Sequence, residues 1–328
     1  MNYNATTGMD CLAEIDVSAD TVMPTPPAEG LIARSQRVAK ATAALRRIVL
    51  PYPRQIAFQA ELEELRLTGL ACKGMPQLGL TLFDQTGCGK TVGARQYKLF
   101  NESRAEIPAG GRPVLHVRMD ANGTGRGLFD AILAELDDSF TGRGFEPNLM
   151  RRAIDLMEEK GTQLLIIDEA QHGHRKGLNA HITASVKLLL DVGPVPIALL
   201  GTEEAVPVFG RDRELSGRLS APCTLGALRW HDDEDRELWV GFLDALDQEI
   251  VDRGIVSAHV GLNDKQLAAA LCDACSGVIG QLMNLVRTAL VTAVRRGDTV
   301  FTVEDISDAV EQHLMQLGFI DHNPLRGL

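Results

Sequence analysis

Two short stretches carry residues whose types and spacing could do chemistry on a phosphate. In Leu78 to Thr91, LGLTLFDQTGCGKT, an apolar run breaks at Asp84, passes Gly87 and Gly89, and ends in Lys90-Thr91 where a helix-compatible segment begins. A strand, a Gly-rich loop and a helix N-terminus in that order present backbone N–H groups to an anion. The loop residues Gln85, Thr86, Gly87, Cys88, Gly89, Lys90, Thr91 and Val92 are expected to cradle nucleotide phosphates. Lys90 would reach the β- and γ-phosphates, and the Thr91 hydroxyl would hold Mg²⁺. The usual pattern opens with glycine where this chain has Asp84, and a carboxylate beside a triphosphate would cost affinity or turnover. A chance loop of small residues is the alternative. The second stretch, Gln163 to Glu169, is a short apolar run ending in two carboxylates about 78 residues after Lys90. Asp168, at the C-terminal end of a buried strand expected beside the phosphate-loop strand, is placed to hold Mg²⁺ through water. Glu169 would orient or deprotonate the attacking water.

Further polar groups follow at the ends of apolar segments. Pro196 to Gly201 reads as a strand, and Thr202 after it can bond the attacking water or the γ-phosphate. Equally, Thr202 could cap the helix begun by Glu203 and Glu204, or do both. Arg211, Arg213 and Arg218 precede a fifth apolar segment, Cys223 to Leu228. Arginines there suit a finger reaching a neighbour's γ-phosphate, with Arg218 the first choice and Arg213 the second. A plain surface role fits either one as well. His172, His174 and His181 lack the H-E-x-x-H spacing of a metal site and read as surface or loop residues. The six cysteines are scattered, which points to reduced thiols in the cytosol, and the lone Cys272-x-x-Cys275 reads as small core residues on a helix.

The elements that must position these groups alternate strand and helix. Residues 1 to 30 have little apolar periodicity, end in MPTPPAEG, and are expected to form a flexible tail. Leu31 to Leu50 is helix-compatible and basic, through Arg34, Arg37, Lys40, Arg46 and Arg47, and Pro51 and Pro53 stop it. That basic face could touch nucleic acid or a neighbouring subunit, or simply be solvated. A second helix, about Arg54 to Leu67, leads into the phosphate-loop strand. Beyond it come a helix over Thr91 to Phe100, a strand over Val114 to Met119, and helices over Leu128 to Leu136 and Asn148 to Lys160. After Arg229 the strand signals stop and amphipathic helices follow to Leu317. The expectation is an α/β P-loop NTPase: a core over 31–228 with a parallel five-stranded sheet between helical layers, a small α-helical lid over 229–317, and a polar tail over 318–328. The chain has 33 Lys+Arg against 44 Asp+Glu, a formal charge of −11, so DNA contact must come from a local basic face. No apolar run reaches a membrane span and no signal peptide is visible, so a cytoplasmic protein without membrane partners is expected.

TGCGKT, LLIIDEAQH, IALLGTEEA, the GRDRELSGRL arginines and the helical GVIGQLMNLVRTAL segment together resemble an AAA+ ATPase. More narrowly, with the approach PYPRQIAFQAELEEL, they resemble the TniB/TnsC-type transposition ATPases, over about Leu31 to Leu317. The likeness implies ATP and Mg²⁺ as cofactors, ATP hydrolysis, and a homo-oligomeric ring or filament on duplex DNA that recruits or regulates a DDE transposase. Loop residues Arg126, Arg175 and Lys176 are then the candidates for contacts to DNA phosphates, with little sequence specificity. Related AAA+ proteins of secretion or replication initiation, or an ATP-binding scaffold that hydrolyses little because of Asp84, are the alternatives. Arg287 falls seven residues after Gly280, outside the G-x-x-R frame of a sensor-2 arginine.

Overall fold

A computed structural model describes residues 29–120, 123–139, 142–174, 179–220 and 222–328. The expected tail therefore lies almost wholly outside the described residues. The chain runs α1 (Glu29–Arg46), α2 (Pro53–Ala71), β1 (Gly79–Phe83), α3 (Lys90–Glu102), β2 (Val114–Arg118), α4 (Gly125–Glu135), α5 (Glu146–Glu159), β3 (Leu164–Asp168), α6 (Asn179–Val192) and β4 (Ile197–Gly201). Two single turns, α7 (Val206–Phe209) and α8 (Arg213–Ser216), precede the all-helical part: α9 (Asp233–Asp252), α10 (Lys265–Ala274), α11 (Ile279–Arg296) and α12 (Val303–Ala309), which runs on into a π-helical turn at Val310–Met315.

The four strands are parallel in the order β1-β4-β3-β2, so the phosphate-loop strand lies beside β4 and not, as expected, beside the Asp168 strand β3, because β4 inserts between them. Every residue of β3 and β4 is buried, as strands covered on both faces require. Side chains alternate between two cores. Leu115, Val117, Leu165, Ile167, Ile197 and Leu199 face α4, α5 and α6. Leu80, Leu82, Leu164, Ile166 and Leu200 meet Phe58, Leu62 and Tyr97 from α2 and α3. These are the three layers expected of the α/β core.

The sheet has four strands among the described residues, not the expected five. The segment after α8 does run along β1. Gly79 N–H donates to Arg218 O at 2.8 Å, Ser220 N–H to Gly79 O at 2.8 Å and Cys223 N–H to Thr81 O at 3.0 Å, with one bridge between Gly79 and Leu219. Pro222 has no N–H to give, and the N–H groups of Leu225 and Gly226 bond the Asp84 carboxylate instead of a strand. The ladder stops there.

Helix ends follow local chemistry. Pro53 starts α2 in the first turn, where its missing N–H costs nothing. Asp232 caps α9 by accepting from Glu234 N–H and Asp235 N–H, ahead of an acidic first turn. Gly297, at φ +98°, closes α11 in the left-handed conformation. The helical part has its own core around fully buried Trp239, whose indole N–H reaches Ala268 O at 2.9 Å. α1, although it precedes the sheet in sequence, packs on α11 and places Ala41 and Leu45 in this helical core, joined by Ile48 just past its end. No single described helix is long and apolar enough to cross a membrane.

Candidate nucleotide site

The loop between β1 and α3 is held by its carbonyls. Lys90 Nζ donates to Asp84 O and Gln85 O at 2.6 and 2.7 Å. Gly280 N–H reaches Gly87 O at 2.9 Å, Tyr52 Oη reaches Cys88 O at 3.3 Å, and Gln55 Nε2 reaches Gly89 O at 3.1 Å. The N–H groups of residues 85–92 make no backbone hydrogen bond outside α3 among the described residues. Gly87 and Gly89, both at φ +91°, give the loop the backbone turns an anion cradle needs. Burial draws the Lys90 ammonium below its ordinary pKa, so a phosphate partner would regain the lost solvation.

Asp84 does not face that cradle. Its Oδ2 accepts from Thr224 Oγ1 at 3.0 Å, Leu225 N–H at 2.6 Å and Gly226 N–H at 3.1 Å. The carboxylate ties the loop to the segment leading into the lid.

The end of β3 faces α3 across the cradle. Thr91 Oγ1 donates to Asp168 Oδ2 at 2.7 Å, and His116 Nε2, on β2, lies 3.1 Å from the same oxygen. Asp168 Oδ1 accepts from the Glu169 N–H at 2.8 Å. Burial alone would raise the Asp168 pKa, but the bonds from His116, Thr91 and the Glu169 backbone prevail and hold it below the ordinary carboxylate value. A charged carboxylate bonded to a threonine hydroxyl is the donor pair a hydrated Mg²⁺ ion takes. Glu169 sits at φ +59°, a backbone conformation a glutamate adopts at a cost. Its carboxylate is engaged on both sides, by Arg118 at 3.2 Å and by Gln171 Nε2. The Gln171 Oε1 in turn accepts from Thr202 N–H at 3.1 Å, joining the ends of β3 and β4. Of the two expectations for Thr202, no capping hydrogen bond forms, and its buried Oγ1 has no partner. A buried orphan hydroxyl beside the cradle fits a phosphate oxygen or water supplied with the nucleotide.

These groups line one cavity of about 410 Å³. Its polar end is the loop with Asp168, Glu169, Gln171 and Thr202. Its apolar end comes from Ile48, Val49, Leu50 and Tyr52 between α1 and α2, and from Phe242, Ile279 and Met283 of the lid. Size and polarity suit a nucleotide with its base in the apolar half. Tyr52, Gln171, His116 and the lid residues were missed from sequence. Only the Q of IIDEAQH and the paired glycines of GVIG carried a readable signal. Gly280 packs so closely that a Cβ there would stand 2.7 Å from Gly87 O. On α11 the cavity is lined by Asn284, one turn before Arg287, and Arg287 is not among its lining residues.

The remaining candidates lie elsewhere. Arg218 pairs with Asp191 on α6 and donates to Lys187 O at 3.3 Å. Arg213 opens α8. Neither lines the cavity of its own chain, so a role as finger needs a neighbouring subunit. Arg126 donates to Gly142 O and Gly144 O at 2.9 and 3.0 Å and lies 3.6 Å from Asp130. Arg175 and Lys176 lie outside the described residues. Cys272 and Cys275 are buried free thiols in the lid, and no metal-holding group of His, Cys, Asp and Glu is found among the described residues.

The family model described as bacterial TniB protein matches residues 42–226. No curated protein matches the chain. Among solved structures, the chain is similar to the Aeropyrum pernix ORC2 protein in ADPNP–ADP complexes, with 11% identity, a TM-score of 0.63, and 82% of this chain and 70% of that chain covered. It is similar to Cdc6p from Pyrobaculum aerophilum at 13% identity and TM-score 0.60, covering 82% and 70%. The Aeropyrum pernix ORC1 protein in complex with DNA matches at 18% identity and TM-score 0.58, covering 83% and 69%. At these identities the likeness is one of fold, and that fold is the AAA+ P-loop NTPase with a helical lid.

Proposed function

Because the chain belongs to the bacterial TniB family, we propose that it is an ATPase that assembles on duplex DNA and there recruits or regulates a DDE transposase. The observation that carries the ATPase part is the 2.7 Å bond from Thr91 Oγ1 to Asp168 Oδ2 at the floor of the cradle, with the orphan Thr202 hydroxyl beside it. The N–H groups of residues 85–92 and Lys90 would bind the phosphates. Thr91 and Asp168 would hold Mg²⁺, which when bound offsets charge on the phosphate oxygens. Glu169 would orient and deprotonate the attacking water once Arg118 and Gln171 release its carboxylate. Thr202 would bond the γ-phosphate or that water. Arg218, or else Arg213, would act on the nucleotide of the next subunit, so that ATP favours assembly and hydrolysis favours release. The structures of relatives in fold include one described as bound to DNA, which supports a DNA partner here. Contacts by a few basic side chains per subunit would sum along an assembly.

The scaffold alternative rested on a carboxylate beside the phosphates, and Asp84 is engaged with Leu225 and Gly226 instead. Hydrolysis measured with and without duplex DNA at two salt concentrations, on samples also imaged by electron microscopy, tests the proposal. DNA-stimulated, salt-sensitive turnover with ATP-dependent rings or filaments is expected. Glu169→Gln should bind ATP, form longer-lived assemblies and lose turnover by about 10²-fold or more. Turnover unchanged in that variant would rule Glu169 out as the base.

A further inference from the structure

Basic residues are unevenly distributed in this acidic chain. From Gly30 to Ala60 there are six basic side chains (Arg34, Arg37, Lys40, Arg46, Arg47 and Arg54) and no acidic one. Arg54 is committed to buried Asp235 of α9. The other five are exposed, and none has an ion-pair partner among the described residues. The helix on which α1 packs adds no compensation, because α11 contains no Asp or Glu at all. Its last turn contributes Arg295, which shares a shallow groove with Arg34 where α1 meets α11. Arg126, by contrast, spends its guanidinium on two loop carbonyls. Elsewhere arginines are commonly neutralised, as Arg66 is by Glu63, Arg104 by Glu106 and Arg296 by Asp298 and Asp305.

At about 100° per residue, Arg37 and Lys40 lie about 60° apart on one side of α1, and Arg47 follows one residue past the helix end, in a turn closed by its N–H on Ala44 O at 3.1 Å; at about 1.5 Å per residue the three span about 15 Å. That length bridges a major groove about 12 Å wide, so one stripe can meet phosphates on both of its walls. A helix that holds Arg37 and Lys40, with Arg47 in the turn at its end, costs little ordering on binding, unlike a flexible loop. Resting on the reading of this chain as a DNA-bound ATPase, we infer that the α1 stripe, flanked by Arg34 and Arg295, is the surface that holds the phosphate backbone of duplex DNA. The ligand chemistry is a regular line of phosphate charges. α1 also leads directly into the Ile48–Tyr52 wall of the nucleotide cavity. DNA held on α1 is thereby linked by one short segment to the bound base.

The test is the affinity of the full chain for a labelled duplex, with a non-hydrolysable ATP analogue, across a salt series. The variants are Arg37→Gln/Lys40→Gln/Arg47→Gln and, as a control, Arg126→Gln. Losing three phosphate contacts should flatten the slope of log affinity against log salt by about 2.7, or about 0.9 per contact. Between 50 and 200 mM salt the parent should therefore lose roughly 40-fold more affinity than the triple variant. DNA-independent ATPase and melting temperature should be unchanged in the triple variant. If the parent binds DNA and the triple variant binds with the same slope, the stripe is not the DNA surface, although the ATPase reading stands. If the parent binds no duplex in any nucleotide state, the DNA reading and the stripe fall together. Salt-dependent binding of polyglutamate but not DNA, lost in the triple variant, would overturn the DNA assignment and make the stripe a site for an acidic protein.

Discussion

Replacing Asp84 by glycine restores the usual first residue of a phosphate loop, and it should weaken this protein. Asp84 Oδ2 accepts three hydrogen bonds, of which two come from the backbone N–H groups of Leu225 and Gly226 and one from exposed Thr224. Bonds to a charged acceptor contribute about 1.5–3 kcal/mol each. The Thr224 bond contributes least, because water replaces it readily. Asp84 is itself half-buried, and water there offsets part of the remaining loss, leaving a net of about 2–3 kcal/mol. Glycine adds about 0.5–1 kcal/mol of backbone entropy. The sum of about 3 kcal/mol corresponds to a fall in melting temperature of about 6–12 °C for a domain of this size. Asp84→Asn keeps an acceptor oxygen without the charge and should lose about half as much. Circular-dichroism melts of the three proteins, with parallel titrations of a fluorescent ATP analogue, read both consequences. Nucleotide should bind no tighter to Asp84→Gly, because the carboxylate does not face the cradle. Should that variant melt like the parent and bind nucleotide more tightly, Asp84 is an electrostatic burden, and its role as a tie to the lid segment is wrong.

Three further outcomes follow from particular contacts. Arg118→Ala removes an exposed partner of Glu169, an interaction worth about 0.2–1 kcal/mol. DNA-independent ATP turnover should rise about 1.4- to 5-fold, and a fall would mean that Arg118 positions Glu169 rather than restraining it. Gly280→Ala places a methyl group against Gly87 O and should push the lid off the loop, weakening ATP binding in calorimetry while the fold stays intact. Unchanged affinity would show that the lid does not close on nucleotide through this contact. Hydrogen bonding from Arg66, outweighing burial and joined by Tyr97, lowers the Glu63 pKa to about 2. A depressed carboxylate stabilises the fold fully above its ordinary pKa of about 4.3, and that stability is lost as pH falls toward 2. Glu63→Gln should accordingly flatten the decline in melting temperature below about pH 4.3; an identical decline would remove Glu63 from the acid response.

Much of the site was legible in the chain because its parts are local. TGCGKT dictates a loop whose backbone turns at Gly87 and Gly89 whatever surrounds it. A run of buried β-formers ending in Asp168-Glu169 dictates a strand whose last carboxylates emerge at the sheet's edge. Four strands, most of the helices around them and the helical lid followed from periodicity and from Pro and Gly punctuation, whereas α6 (Asn179–Val192) was not read. The fifth strand expected at Cys223–Leu228 did not form: the segment has the right apolar pattern, but Pro222 has no N–H to give and the Leu225 and Gly226 N–H groups bond the Asp84 carboxylate.

What only the tertiary structure decided are the relations between distant segments. The direction of the Asp84 carboxylate depends on N–H groups some 140 residues away. The hold on Glu169 depends on Arg118, which parallel pairing of β2 and β3 brings alongside Asp168. The apolar half of the cavity joins residues 48–52 to α9 and α11 because α1 packs on the lid, and a one-dimensional pattern carries no record of that packing. Spacing along the chain encodes what a backbone can do over about ten residues; which charges and surfaces end up facing one another is set by packing in three dimensions.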